Sequence, residues 1–126
     1  MEGFKQLVVW QKAYEMALAV YRATTAFPRS ELYGLASQMQ RAAVSVPANI
    51  AEGYERQHRR EYLQFLAVAR GSLAEVETYL MPARDLHYID ESTFRSLEAQ
   101  RAEVGRMLRG LVNSLSNDQT GRKPSS

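Results

Sequence analysis

The chain divides into four stretches in which apolar residues return every three or four positions, the repeat that lines one side of an α-helix. In the first, residues 7–27, Ala13, Met16 and Val20 form one line and Trp10, Tyr14, Ala17 and Tyr21 a second, with Lys12, Glu15 and Arg22 between them. Together they predict one broad buried side that includes Trp10, Tyr14 and Tyr21. Phe27-Pro28 ends the stretch, because the residue before a proline resists helical dihedrals. The second stretch, residues 31–54, repeats at Leu32, Leu35, Met39, Ala42, Val46 and Ile50. Ser30 is expected to cap it, Glu31 to suit its first turn, and Gly53 to begin its exit. Pro47 predicts a kink near Val44–Pro47, or two abutting helices, since an interior proline removes a donor and costs about 3 kcal/mol.

The third stretch, residues 61–88, carries Tyr62, Leu66, Ala69, Leu73, Val76 and Leu80, widened by Phe65 and Val68, with a second kink expected at Pro82. The pattern resumes through Leu86 and fades by Ile89. The fourth, residues 91–115, follows Asp90 as its expected cap and keeps a coiled-coil-like rhythm at Phe94, Leu97, Val104, Leu108, Leu111 and Leu115. Arg101 fills the missing core-type position, where a cation must reach the edge or pair with a carboxylate. No stretch alternates with period two, so strands are not expected. Four helices on short links predict an all-α, antiparallel up-down-up-down four-helix bundle, one domain over residues 1–115. Residues 116–126 contain no apolar side chain and are expected to form a flexible tail.

Composition narrows the chemistry. Hydrophobic residues make up 45% of the 126 and charged residues 24%, a balance that suits one globular domain. Cysteine is absent, which excludes disulfides, thiol catalysis and thiolate zinc sites. No apolar run nears the roughly 20 residues of a membrane span, and no signal-peptide core is present, so no membrane partner and a cytoplasmic location are expected. A di-iron site in a bundle needs two Glu-x-x-His pairs. The chain has one, Glu55 to His58, while His87 follows Arg84 at that spacing. No phosphate loop or nucleophile elbow occurs. No catalytic residue, cofactor or metal site is therefore expected, and an enzyme is the least favoured class.

Charge is nearly balanced, sixteen basic residues against fourteen acidic, so any electrostatic function must come from local clustering. The densest cluster is Arg56-Gln57-His58-Arg59-Arg60, with Arg70 farther on and Tyr54 and Tyr62 at its flanks. Arginine forks suit phosphate and tyrosines can stack on bases. In one chain such a run reads as a solvated turn; repeated in a symmetric ring it becomes an electropositive rim. Arg56, Arg59, Arg60 and Arg70 are thus the candidate nucleic-acid contacts. Arg95, Arg101, Arg106 and Arg109 could extend the rim, but Glu91, Glu98 and Glu103 stand near enough to pair with most of them. Asn49 and Glu52 share a helix face, and we read them as a structural polar network with Arg41 or Glu75 rather than a ligand site. Gly71 and Ser72 are small residues inside a helix, expected to admit a neighbouring helix or subunit. Tyr33, Tyr54 and Tyr88 fall near helix ends, a weak sign of interfaces.

Three pieces carry a family resemblance: Leu7-Val8-Val9-Trp10-Gln11-Lys12-Ala13, Pro47-Ala48-Asn49-Ile50-Ala51-Glu52-Gly53, and Gly71-Ser72-Leu73-Ala74-Glu75. Over roughly residues 5–115 the chain resembles the bacterial four-helix-bundle family first noted as products of intervening sequences in 23S ribosomal RNA genes. It departs at His58, where the family often places a small hydroxyl residue to cap the third helix. The resemblance implies a four-helix bundle and a five-fold ring, hence a homopentamer. A related branch serves diversity-generating retroelements as an accessory protein, which implies RNA or DNA and a reverse transcriptase as possible partners. The expected function is a non-enzymatic oligomer associated with nucleic acid or nucleoprotein through repeated basic surface. The alternative is a scaffold or adaptor that binds another protein without touching nucleic acid.

Overall fold

The computed structural model describes residues 3–117. Four helices account for most of them: α1 (Val8–Thr24), α2 (Leu35–Tyr54), α3 (Arg59–Asp85) and α4 (Glu91–Asn117). Short 3-10 turns at Gly3–Gln6 and Arg29–Glu31 precede α1 and α2, and no strand occurs among the described residues. Each helix packs on its neighbours in the order α1, α2, α3, α4, and α4 closes onto α1. Thr24 near the end of α1 meets Gln40 near the start of α2, Gly53 near the end of α2 stands against Tyr62 and Phe65 near the start of α3, and Arg84 near the end of α3 lies over the Phe94 ring near the start of α4, so consecutive helices run antiparallel. This is the four-helix bundle that the periodicity predicts.

The core is built from the expected lines. Ala13, Met16 and Val20 of α1, Met39, Val46 and Ile50 of α2, Leu66, Ala69, Val76 and Leu80 of α3, and Val104, Leu108 and Leu115 of α4 are all buried. The second line of α1 divides: Ala17 is buried, Trp10 is half-buried, and Tyr14 and Tyr21 are exposed. The buried arc is narrower than the apolar arc because only α2 and α4 flank α1. Leu32, Val68 and Leu86, counted as stripe members above, are also exposed. Leu32 belongs to the link before α2, and Val68 sits at the outer edge of α3.

The helix ends show what terminates each element. The cap of α2 is not Ser30. Glu31 accepts a hydrogen bond from the Leu35 backbone N–H at 3.0 Å through Oε1, and its Oε2 accepts the Tyr88 hydroxyl at 2.9 Å. A Cβ on Gly34 would stand 2.7 Å from Glu31 Oε1, so a side chain there would push this carboxylate aside. Tyr88 also packs against Phe27, with ring centroids 5.2 Å apart, and ties the two links at this end of the bundle together. Asp90 caps α4 as expected, accepting from the Thr93 N–H at 2.7 Å. The end of α3 closes in a Schellman turn: Tyr88 N–H reaches the Ala83 carbonyl at 2.8 Å and His87 N–H the Arg84 carbonyl at 2.9 Å. His87 supplies the left-handed residue, at φ 63°.

Pro47 and Pro82 lie inside continuous helices, so α2 is one element rather than two abutting ones. Gly53 does not start the exit of α2, which runs on to Tyr54. Gly71 has no atom beyond its own helix within 4 Å of where a Cβ would stand, so no helix of its own chain approaches it. Ser116 and Asn117, expected in the tail, form the last turn of α4; the rest of that expected tail, 118–126, lies outside the described residues.

Candidate nucleic-acid interface

The α2–α3 turn is set by close approach of the two helices. A Cβ on Gly53 would fall 2.9 Å from Phe65 Cβ, 2.9 Å from Tyr62 Cδ1 and 3.2 Å from the Tyr62 carbonyl oxygen. The absence of a side chain at Gly53 therefore lets α3 begin directly against α2. His58 is the residue before α3, extended at φ −114° and ψ 139°, and its side chain makes no capping bond. The missing hydroxyl of the resemblance is thus a missing cap.

The four candidate arginines separate at this turn. Arg56 is engaged within the subunit: Nη2 donates to Glu52 Oε2 at 2.8 Å, and the guanidinium lies 4.9 Å from the centroid of the Phe65 ring. Arg59 and Arg60 have no carboxylate partner among the described residues. With His58, Leu63, Gln64 and Ala67 they line a groove of about 680 Å³. Leu63, Ala67 and Arg70 follow Arg59 at steps of four, four and three, so Arg70 stands on the same side of α3 about 16 Å farther along.

Arg70 shares a second, smaller cleft of about 160 Å³ with Arg109 of α4, and Arg101 and Glu77 also line it. Arg101 is the core-position cation, its side chain 16% exposed. It resolves the choice left by the sequence by pairing: Nε donates to Glu98 Oε1 at 3.0 Å, and Nη2 lies 3.6 Å from Glu77 Oε2. The Glu98 hydrogen bonds raise its pKa further, so it stays charged. On α4, Arg95 reaches Glu91 at 4.0 Å, but Arg106 and Arg109 have no carboxylate partner among the described residues. Pairing explains Arg95 and Arg101 and leaves Arg106 and Arg109 without a carboxylate, and of these two Arg109 stands at the cleft it shares with Arg70. Spacing to Glu103 pointed the other way.

Tyr62 cannot stack on a base, because it is fully buried. Burial pushes its hydroxyl pKa well above the ordinary value, with a smaller contribution from Tyr54. Tyr54 is half-buried, edge-on to Tyr62 with centroids 6.1 Å apart.

The polar network at the middle of α2 has other members than expected. Asn49 Nδ2 donates to the Ser45 carbonyl at 2.8 Å and to Ser45 Oγ at 2.9 Å, and Ser72 Oγ donates to Ser45 Oγ at 2.8 Å. Arg41 and Glu75 are exposed, and Glu52 holds Arg56. The signal for Ser45 was present in its spacing, four residues before Asn49, where a helix places side chains together. Among the described residues no group of three or more His, Asp or Glu side chains is placed to hold a metal ion. None of the described helices is long and apolar enough to cross a membrane.

The fold and this face define a class: a small helical bundle whose α3/α4 side carries a cluster of unpaired arginines. The sequence matches the family described as 23S rRNA-intervening sequence protein over residues 5–110. The chain belongs to that family. A solved protein of unknown function from the S23 ribosomal protein family of Bacteroides thetaiotaomicron shares the fold, with a TM-score of 0.75 at 23% identity, covering 83% of this chain and 98% of the other. No curated protein matches the chain.

Proposed function

We propose that the chain is a non-enzymatic, self-assembling bundle that binds nucleic acid by phosphate contacts along its α3/α4 side. Arg59, Arg60 and Arg70 are the principal contacts, with Arg109 extending them. One observation carries this reading. Arg59, Arg60, Arg70 and Arg109 have no carboxylate within 4.0 Å among the described residues and gather around two clefts on the α3/α4 side, whereas the unpaired Arg22, Arg29 and Arg41 are scattered over α1, the link before α2 and α2 itself. A guanidinium without a carboxylate keeps its fork of donors for phosphate, where it binds two oxygens at once.

Each subunit offers a few such contacts, which are weak singly and add when copies sit together. Assembly as a homopentamer, the ring implied by the resemblance, supplies those copies. A nucleic-acid enzyme such as a reverse transcriptase is the protein partner this reading favours, and the cytoplasm its place.

Fluorescence anisotropy with a 20-nucleotide RNA and a DNA duplex at low salt tests the proposal. Wild type binds, and Arg59→Ala/Arg60→Ala/Arg70→Ala binds at least tenfold more weakly. Arg56→Ala binds nearly as wild type, because that charge is already compensated. Equal binding by wild type and the triple variant contradicts the proposal. Absence of binding by wild type supports a protein-binding scaffold instead.

A further inference from the structure

Two surfaces of the subunit are each left without a partner. On α1, Trp10, Tyr14, Leu18 and Tyr21 follow at steps of four, four and three; on α2, Val44, Ala48 and Ala51 follow at four and three. Tyr14, Tyr21 and Val44 are 46%, 42% and 45% exposed. The 2.8 Å hydrogen bond from Gln40 to Thr24 marks where α1 and α2 meet. From it, Tyr14 and Tyr21 lie within about 80° around α1, and Val44 and Ala51 within about 40° around α2. The two lines therefore border each other in one apolar strip, with Trp10 stacked on Tyr14 at 5.3 Å. A continuous exposed apolar strip rich in aromatics marks an interaction surface.

The second surface is on α3. Gly71, Ala74 and Thr78 follow at steps of three and four, and all are exposed. Nothing beyond its own helix lies within 4 Å of a Cβ built on Gly71. Glycine inside a helix is destabilising, and unlike Gly53 this one gains no close approach within its subunit.

We infer that these two surfaces dock on each other between copies of this chain, the rings of Tyr14 and Tyr21 on one subunit entering the Gly71 line of the next. The inference rests on the self-assembly proposed above and names its seam. Shape complementarity is one argument: protruding rings face a line without side-chain bulk. Charge is the other. Arg41 lies three residues before Val44 and Glu75 four after Gly71; both are exposed, and neither is ion-paired among the described residues. Their signs are opposite, and each stands about one helical turn from the centre of its strip. Gly110 is equally open, but it neighbours Arg106 and Arg109, which repel Arg41. A contact between two different patches is head-to-tail, and it closes into a ring where the rotation allows. The arginine side of each copy then lies next to a seam, and successive copies extend one basic surface.

Light scattering and native mass spectrometry of the full chain test the seam, with circular dichroism confirming that each variant folds. Wild type assembles. Gly71→Phe, Arg41→Glu and Glu75→Arg each raise the assembly dissociation constant at least tenfold, and the double reversal Arg41→Glu/Glu75→Arg recovers most of that loss. If wild type assembles and the single variants assemble equally well, this seam is wrong while self-assembly stands. If the singles weaken assembly and the double does not recover it, the Arg41–Glu75 pairing is overturned. A wild type that stays a single subunit at high concentration overturns the self-assembly itself.

Discussion

Alanine at Gly110 should stabilise the protein, and alanine at Gly53 should not. In a helix interior, alanine is favoured over glycine by up to about 1 kcal/mol. A Cβ on Gly110 meets nothing within 4 Å, so Gly110→Ala should realise most of that gain. At Gly53 the new methyl would sit 2.9 Å from Phe65 Cβ and 3.2 Å from the Tyr62 carbonyl oxygen, where carbon contacts are comfortable only near about 3.5–4.0 Å. Neither atom can swing aside, because each is fixed to the α3 backbone, so α2 and α3 must part. Overpacking of this kind costs about 1–3 kcal/mol. Set against the propensity gain, Gly53→Ala should be neutral to about 2 kcal/mol less stable than wild type. The two variants should therefore differ by about 1–3 kcal/mol. Urea unfolding followed by circular dichroism at one fixed protein concentration measures this, the concentration being held because assembly contributes to apparent stability. A Gly53→Ala variant that gains as much as Gly110→Ala would refute the close approach that sets the α2–α3 turn.

Two further outcomes follow from buried and capping groups. The Tyr62 hydroxyl is buried with no hydrogen-bond partner among the described residues, and such a group costs about 1–3 kcal/mol. Tyr62→Phe should be at least as stable as wild type by thermal melting, and a loss beyond about 1 kcal/mol would reveal a partner for the hydroxyl. In a 295 nm alkaline titration, one of the seven tyrosines should stay silent until the chain unfolds. The Glu31 carboxyl is held below its ordinary value of 4.5, first by the Leu35 N–H and then by the Tyr88 hydroxyl. A carboxyl with a lowered folded pKa contributes stability above its unfolded pKa and loses it as pH falls through the folded value. Melting temperature should therefore fall more steeply below pH 4.5 in wild type than in Glu31→Gln, and parallel curves would sink the capping role.

What the sequence could and could not reveal follows from how far away the deciding contacts lie. Leu66, Ala69, Leu73, Val76 and Leu80 read as one buried line because helix geometry alone puts them together. Asp90 reads as a cap because its partner, Thr93, is three residues away. Ser30 was the local choice for α2, yet Glu31 holds the cap with help from Tyr88, 57 positions distant. Tyr14 and Tyr21 share their spacing with Ala17, and only the placement of α2 and α4 decides which of the three is covered. In the candidate interface, the basic cluster is visible as composition, but its division is not. Arg56 and Arg59 are three residues apart, and the path of the turn sends one to Glu52 and Phe65 and the other to the open groove. Arg106 and Arg109 were hidden by nearby glutamates whose spacing permits a pairing that the structure does not make.

The central claim is that unpaired arginines along the α3/α4 side bind phosphate, and the salt dependence of nucleic-acid affinity tests it most directly. For a single strand, log K should fall linearly with log salt, at roughly 0.7 per phosphate engaged. Arg59→Ala/Arg60→Ala/Arg70→Ala should flatten that slope by about 2 or more, the loss of three contacts per subunit. An affinity that ignores salt, or a slope that the triple variant leaves unchanged, would contradict the account.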